Sequence, residues 1–203
     1  MSLSGLLTII IIIALAVAFW LVWTYNRLVR RLQRVEEAWA DIEVQLKRRY
    51  NLIPNLVETV KGYVAHERKV LQDVTEARTR ALAVQAEKKN PADIAAADNA
   101  LASTLKTLFA VAENYPDLKA NANFLDLQRE LADTENKIQA ARRFYNTVVR
   151  EYNTLIHSLP TSLVAPLFHF SPREYFELAG EEERKVPRVE FSSPAPPSAN
   201  KPE

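Results

Sequence analysis

An uncharged run of 18 residues, 6–23 (LLTIIIIIALAVAFWLVW), carries a single hydroxyl, Thr8, and constrains this chain more than any other stretch. As a helix rising 1.5 Å per residue it is just long enough to cross a hydrocarbon layer of roughly 30 Å. Trp20, Trp23 and Tyr25 gather at its C-terminal end, where amphipathic rings prefer the headgroup level. A cleaved signal peptide would want a basic start, a shorter apolar run and small residues at the cleavage point. No Lys or Arg precedes this run, and large aromatics stand where the small residues would be needed. It therefore reads as an uncleaved anchor. Arg27, Arg30, Arg31 and Arg34 follow it, with no acid before Glu36. This one-sided positive charge implies a short N-terminus outside and everything from residue 27 onward in the cytoplasm.

Before those arginines end, a second pattern begins. Alternate steps of four and three from Leu28 reach Leu32, Val35, Trp39, Ile42, Leu46, Arg49, Ile53, Leu56, Val60, Tyr63, Glu67, Val70, Val74, Ala77, Ala81 and Val84. Only Arg49 and Glu67 interrupt this apolar seam, whose period is close to the 3.5 residues of packed helices. Pro54 admits two readings. The unbroken phase favours one kinked helix, whereas Asn51 as an N-cap would put Pro54 in a first turn, where its missing N–H costs nothing. The expectation taken is a reversal at Tyr50-Asn51, because it supplies a fourth helix of matching length. The second helix then runs to about Lys88. Asn90-Pro91 with Asp93 starts a third, which carries Ile94, Ala97, Leu101, Leu105, Leu108 and Ala112 and stops at Tyr115-Pro116-Asp117. Asn121 or Asn123 caps a fourth, whose seam runs from Phe124 to Leu159, with Thr134 as its break, and ends at Ser158-Leu159-Pro160.

Helical periodicity is lost beyond Pro160. Residues 161–170 (TSLVAPLFHF) are too few to span a bilayer, and Ser171-Pro172-Arg173-Glu174 is a capping box that predicts a short helix ending at Gly180. Phe168, Phe170, Tyr175 and Phe176 are expected to fold back over an open end of the helices; a membrane-interface or partner patch is the alternative. The fold class predicted is all-α: an N-terminal transmembrane helix continuous with an antiparallel up-and-down four-helix bundle. Its parts are 1–26 (N-terminal segment and span), 27–159 (bundle), 160–191 (C-terminal segment packing on the bundle) and 192–203 (a tail disordered by composition).

Composition narrows the function classes. With only three glycines there is little room for a phosphate-cradling loop or a nucleophile elbow, and with no cysteine there is no thiol chemistry, thiolate metal site or lipobox anchor. A net charge of +1 with interspersed signs gives no field for nucleic acid. His66, His157 and His169 are far apart, and neither a Glu-x-x-His pair nor the zinc-protease helix motif is present. No catalytic residue, cofactor or metal is expected.

Four segments are recognisable together: residues 49–63 (RYNLIPNLVETVKGY), 115–127 (YPDLKANANFLDL), 134–153 (TENKIQAARRFYNTVVREYN) and 173–176 (REYF). In this order they closely resemble the LemA family of bacterial membrane proteins, over about residues 20–191. The resemblance implies an N-terminal transmembrane helix with a small external N-terminus, a four-helix α-bundle and location in the bacterial cytoplasmic (inner) membrane. It also implies a molecular function that is unsettled, and it supplies no catalytic residues to carry over.

Two constellations remain as candidates. Tyr145-Asn146 and Tyr152-Asn153, seven residues apart, put both phenols on the fourth-helix seam with both amides beside it. They are expected to form a polar network that fixes helix register; the alternative is a groove for a peptide or small ligand. Arg142, Arg143 and Arg150 lie partly on one face, as a solvated, salt-bridged surface or as a docking site for an acidic partner. With Phe168, Phe170, Tyr175 and Phe176 they form the candidate interaction set. The function expected is non-enzymatic: a membrane-anchored protein-interaction or scaffold module at the cell envelope. Its partners would be the lipid bilayer, another protein and, in a homo-oligomer, a second copy of the chain. The alternative is a sensor or regulator that binds a small ligand or peptide in the bundle.

Overall fold

In the computed structural model, residues 3–64, 66–87 and 90–176 are described, and all their regular structure is helical. The first helix, α1 (Leu3–Lys61), runs unbroken for 59 residues, ~88 Å at α-helical rise. Its most apolar 18-residue window, of mean hydropathy 2.9, has no residue buried against protein. From Leu28 onward one face is buried: Leu28, Val35, Ala38, Ile42, Leu46, Arg49, Ile53, Leu56 and Val60 follow the four-and-three spacing of the sequence, with Ala38 in place of Trp39, which is half-buried. One rod thus carries a lipid-compatible surface at one end and a core-forming stripe along the rest.

The expected reversal at Tyr50-Asn51 does not occur. Pro54 lies inside α1, and the chain turns back only after Lys61. A proline within a helix leaves the carbonyl four residues earlier without its N–H donor. Here that carbonyl belongs to Tyr50, and it accepts a hydrogen bond from Arg78 Nε at 2.7 Å. An arginine on the next helix therefore supplies the donor that Pro54 removes, and the helix passes through.

Helix α2 (Arg68–Ala86) returns along α1, and α3 (Pro91–Ala112) packs mainly against α2. Asn90 caps α3 by accepting from the Asp93 N–H, with Pro91 at the first helical position, as its sequence indicated. One turn, α4 (Pro116–Lys119), leads to α5 (Ala122–His157). The Asn121 side chain accepts from the Phe124 N–H and donates to Tyr63 Oη at 2.8 Å, so one amide caps α5 and fastens it to the end of α1. The most extensive packing is between α1 and α5. They run antiparallel, since Arg31 pairs with Glu151 and Arg48 with Glu130. After a cis Leu159–Pro160 peptide come α6 (Thr161–Val164) and a 3-10 turn (Ala165–Phe168), both against α1.

The sequence predicts a helix from Ser171 to Gly180; residues 171–176 are extended instead, and the remainder lies outside the described residues. The reason is local competition. Side chains of α5 take the backbone hydrogen bonds that a capping box would otherwise have used to start a helix.

Candidate functional site: a cleft beside an asparagine-clamped strap

Residues 173–176 form a strap across α5. Asn153 Oδ1 accepts from the Arg173 N–H at 2.9 Å while its Nδ2 donates to the Arg173 carbonyl at 2.8 Å. Asn146 treats Phe176 in the same way, at 2.8 and 3.1 Å. Each carboxamide thus satisfies both the donor and the acceptor of one residue, as a neighbouring strand would. The seven-residue spacing on α5, ~10.5 Å of rise, matches the reach of three extended residues. Between these two points Tyr145 Oη donates to the Glu174 carbonyl at 2.9 Å. Burial pushes the Tyr145 phenol up to about 12, so it stays the neutral donor this bond requires. Tyr152 is buried and its phenol is also raised, mainly by burial. None of these contacts reads the strap's side chains.

The strap's aromatic residues part company. Phe176 is buried between Trp39, at 5.9 Å between ring centroids, and the Arg142 guanidinium, 4.5 Å over its ring, whereas Tyr175 is exposed. Phe168 and Phe170 pack on Tyr25 instead, at 5.0 and 5.8 Å. The four aromatics are therefore not gathered over one open end; they are strung along α1 and α5 between the level of Tyr25 and that of Trp39. The arginine cluster divides too. Arg143 and Arg150 are exposed, but Arg142 is 5% exposed and lies under Phe176, so it belongs neither to a solvated surface nor to a docking face. Of the candidate orienting arginines, Arg27 stacks over Trp23, Arg31 pairs with Glu151, Arg34 lies over Phe144, and Arg30 is exposed.

Beneath the strap runs a cleft of about 590 Å³ between α1, the start of α3 and α5, lined by Trp39, Glu43, Ile94, Tyr145, Arg173 and Glu174, among others. Trp39 Nε1 donates to Glu43 Oε1 at 3.0 Å, and Arg173 reaches Glu36 at 3.7 Å. Three acids, Glu36, Glu43 and Glu174, face one Arg173, so the walls combine an aromatic floor with an acidic rim.

Sequence reasoning missed the charged layer inside the helices. Arg49 pairs with buried Asp98 at 2.7 Å and with Glu135, which joins α1, α3 and α5. The Arg142 guanidinium nearby is pushed down by burial and by Arg49 and held up by Asp98, while its buried Nη2 makes no hydrogen bond. The Tyr50 phenol beside them is raised strongly, chiefly by burial and then by Asp98. The signal was there in part: Arg49 stood as one of only two breaks in the apolar seam. Glu135, seven residues before Arg142 on α5, pairs with Arg49. A smaller groove of about 370 Å³ between α3 and α5 ends on the Arg49–Glu135 pair. This arrangement can hold an extended chain or a small amphipathic group.

Comparison with known proteins adds a family. The profile of the LemA family matches residues 38–191. Protein LemA of Metamycoplasma hominis is 27% identical over 140 residues, covering 69% of this chain and 63% of that protein. Magnetosome protein MamQ 2 of Paramagnetospirillum magneticum is 25% identical over 197 residues, with 85% and 72% covered. Magnetosome protein MamQ of Magnetospirillum gryphiswaldense is 24% identical over 180 residues, with 77% and 65% covered. The chain thus spans under two thirds of both the mycoplasma protein and the Magnetospirillum gryphiswaldense protein, and 72% of MamQ 2.

Proposed function

Starting from a chain that belongs to the LemA family, we propose a membrane-anchored, non-enzymatic module that docks another protein in the cleft beside the strap. The observation that carries this reading is the asparagine clamp. Two carboxamides that pair with main-chain groups alone make a site for extended polypeptide, and the chain's own residues 173–176 occupy it. The strap in turn presents Arg173 and Glu174 to the cleft, where Trp39 offers an aromatic anchor and the acidic rim favours a basic segment. The membrane half rests on α1: residues 6–23 cross the cytoplasmic membrane, and Arg27–Arg34 keep the helical body on the cytoplasmic side. Because the chain has no cysteine, single cysteines at Ser2 and Ser198 report this topology. An impermeant thiol reagent should label the first and not the second in intact spheroplasts, and the reverse would refute it.

Docking is tested with a photo-crosslinking amino acid at Glu43 in cells, with Arg143 and Phe168 as comparison positions. A discrete protein adduct from Glu43, lost when Asn146→Leu and Asn153→Leu release the strap, supports the module. If no exposed position captures a discrete protein, the scaffold reading falls. A second reading, a sensor for a small ligand or peptide, draws on the cleft's volume, which is in the range of small-molecule sites. A small molecule that co-purifies with the chain and raises its melting temperature, with no protein adduct at Glu43, would favour it.

A further inference from the structure

The segment just after α5 has an unusual distribution of apolar surface. Thr161, Val164 and Ala165 are buried against the helical body, which uses up one side of α6 and the 3-10 turn. The other side carries Leu159, Leu163 and Leu167, four residues apart, at 78%, 67% and 71% exposure, with Phe168 beside them at 45%. No charged side chain occurs between Leu159 and Phe168. A short surface segment in water normally turns polar groups outward, and a contiguous leucine face marks a contact.

Its position identifies what that contact is. Phe168 and Phe170 close edge-on around Tyr25, two residues beyond the end of the apolar run on α1. At the same level Arg27 lies over Trp23, and Thr24 and Leu28 are already buried in the body. A ring of Trp, Tyr, Phe and Arg at one end of a span-length helix is the composition of a membrane–water interface. The leucine face is therefore continuous with the lipid-facing surface of α1.

We infer that residues 159–168 form a second, monotopic membrane contact, with Leu159, Leu163, Leu167 and Phe168 immersed in the acyl boundary of the bilayer that α1 crosses. The contact sets the orientation of the helical body: a single span leaves it free to tilt and swivel, and a second point of immersion beside it removes that freedom. Arg30, exposed near this level, would face anionic headgroups. The inference rests on the membrane-anchored reading of α1, and the test separates the two.

The experiment uses the full chain reconstituted in vesicles of phosphatidylcholine with a minority of phosphatidylglycerol. Single variants Leu163→Cys, Leu167→Cys, Val17→Cys and Val44→Cys carry an environment-sensitive fluorophore; all four positions are exposed, so labelling leaves the core intact. Val17 reports the span and Val44 a face of α1 farther along the body. Labels at Leu163 and Leu167 should shift to the blue and be quenched at least about threefold more than Val44 by lipid carrying a doxyl group near the headgroup. Aqueous iodide should quench Val44 preferentially. If Val17 is quenched by the doxyl lipid while Leu163 and Leu167 behave like Val44, the second contact is refuted and the anchor stands. If Val17 also fails to respond, the anchor itself is refuted and the inference with it. If the blue shift at Leu163 vanishes on dilution to one chain per vesicle, a second copy covers the leucines and the inference is overturned.

Discussion

Pro54 shows at residue scale how a tertiary contact decides a local ambiguity. The sequence signals for a cap at Asn51 were real, but the Tyr50 carbonyl that Pro54 frees is met by Arg78, 28 residues away. A long-range donor of this kind has no sequence signature, which is why the seam's unbroken phase was the better guide. Arg78→Leu should destabilise the detergent-solubilised chain by roughly 1–3 kcal/mol, because it leaves that carbonyl unpaired. In a Pro54→Ala background, where residue 54 regains its N–H, the same change should cost less than about 1 kcal/mol. Unfolding followed by circular dichroism measures both; equal costs would mean that Arg78 does not substitute for the missing bond. Tyr145 gives a pH signature. Its folded-state pKa is raised, so its contribution is fully present below pH ~10, the ordinary phenol value, and is lost as pH rises through about 12. Tyr145→Phe should flatten part of the alkaline loss of stability, leaving the parts owed to Tyr50 and Tyr152, which are shifted the same way. A titration of melting temperature between neutral and strongly alkaline pH would show it.

Among the elements, those set by periodicity and caps were legible and those set by partners were not. The apolar first part of α1, the Leu28 stripe, the Asn90-Pro91 start of α3 and the Asn121 cap of α5 all follow from local chemistry that acts within a turn or two. The end of α1 did not, because a helix stops where the competing contacts change, here at Gly62 and Tyr63. The strap defeated a good local signal: Ser171-Pro172-Arg173-Glu174 has a helix-start sequence, yet Asn146 and Asn153 bind its backbone as an extended chain. The paired Tyr-Asn spacing could be read from the sequence, but its target could not. Continuity of α1 is checked by spin labels on Val44→Cys and Glu58→Cys. A helix through Pro54 sets these positions ~21 Å apart, whereas a reversal at Asn51 would bring them to ~10 Å, the spacing of packed helices. Electron–electron dipolar spectroscopy distinguishes the two.

For the whole molecule, α1 is both the candidate membrane span and one wall of the core, so the cleft's distance from the bilayer is fixed by helix rise. Trp39 lies 16 residues past Trp23, ~24 Å along the rod. The charged layer of Arg49, Asp98 and Glu135 ties α1, α3 and α5 together beyond that point. The cleft itself was invisible in the sequence, since Trp39 and Glu43 come from α1, Ile94 from α3, Tyr145 from α5 and Glu174 from the strap, with no motif in common. All of this depends on the strap being held as a wall of the site by two asparagines. Hydrogen–deuterium exchange resolved to single amides, on the chain in nanodiscs, tests that most directly. The Arg173 and Phe176 amides should exchange at least about tenfold more slowly than in free peptide, and Asn146→Leu with Asn153→Leu should abolish this protection while α5 keeps its own. Equal exchange at Arg173 and Phe176 in both proteins would contradict the clamp, and with it the site.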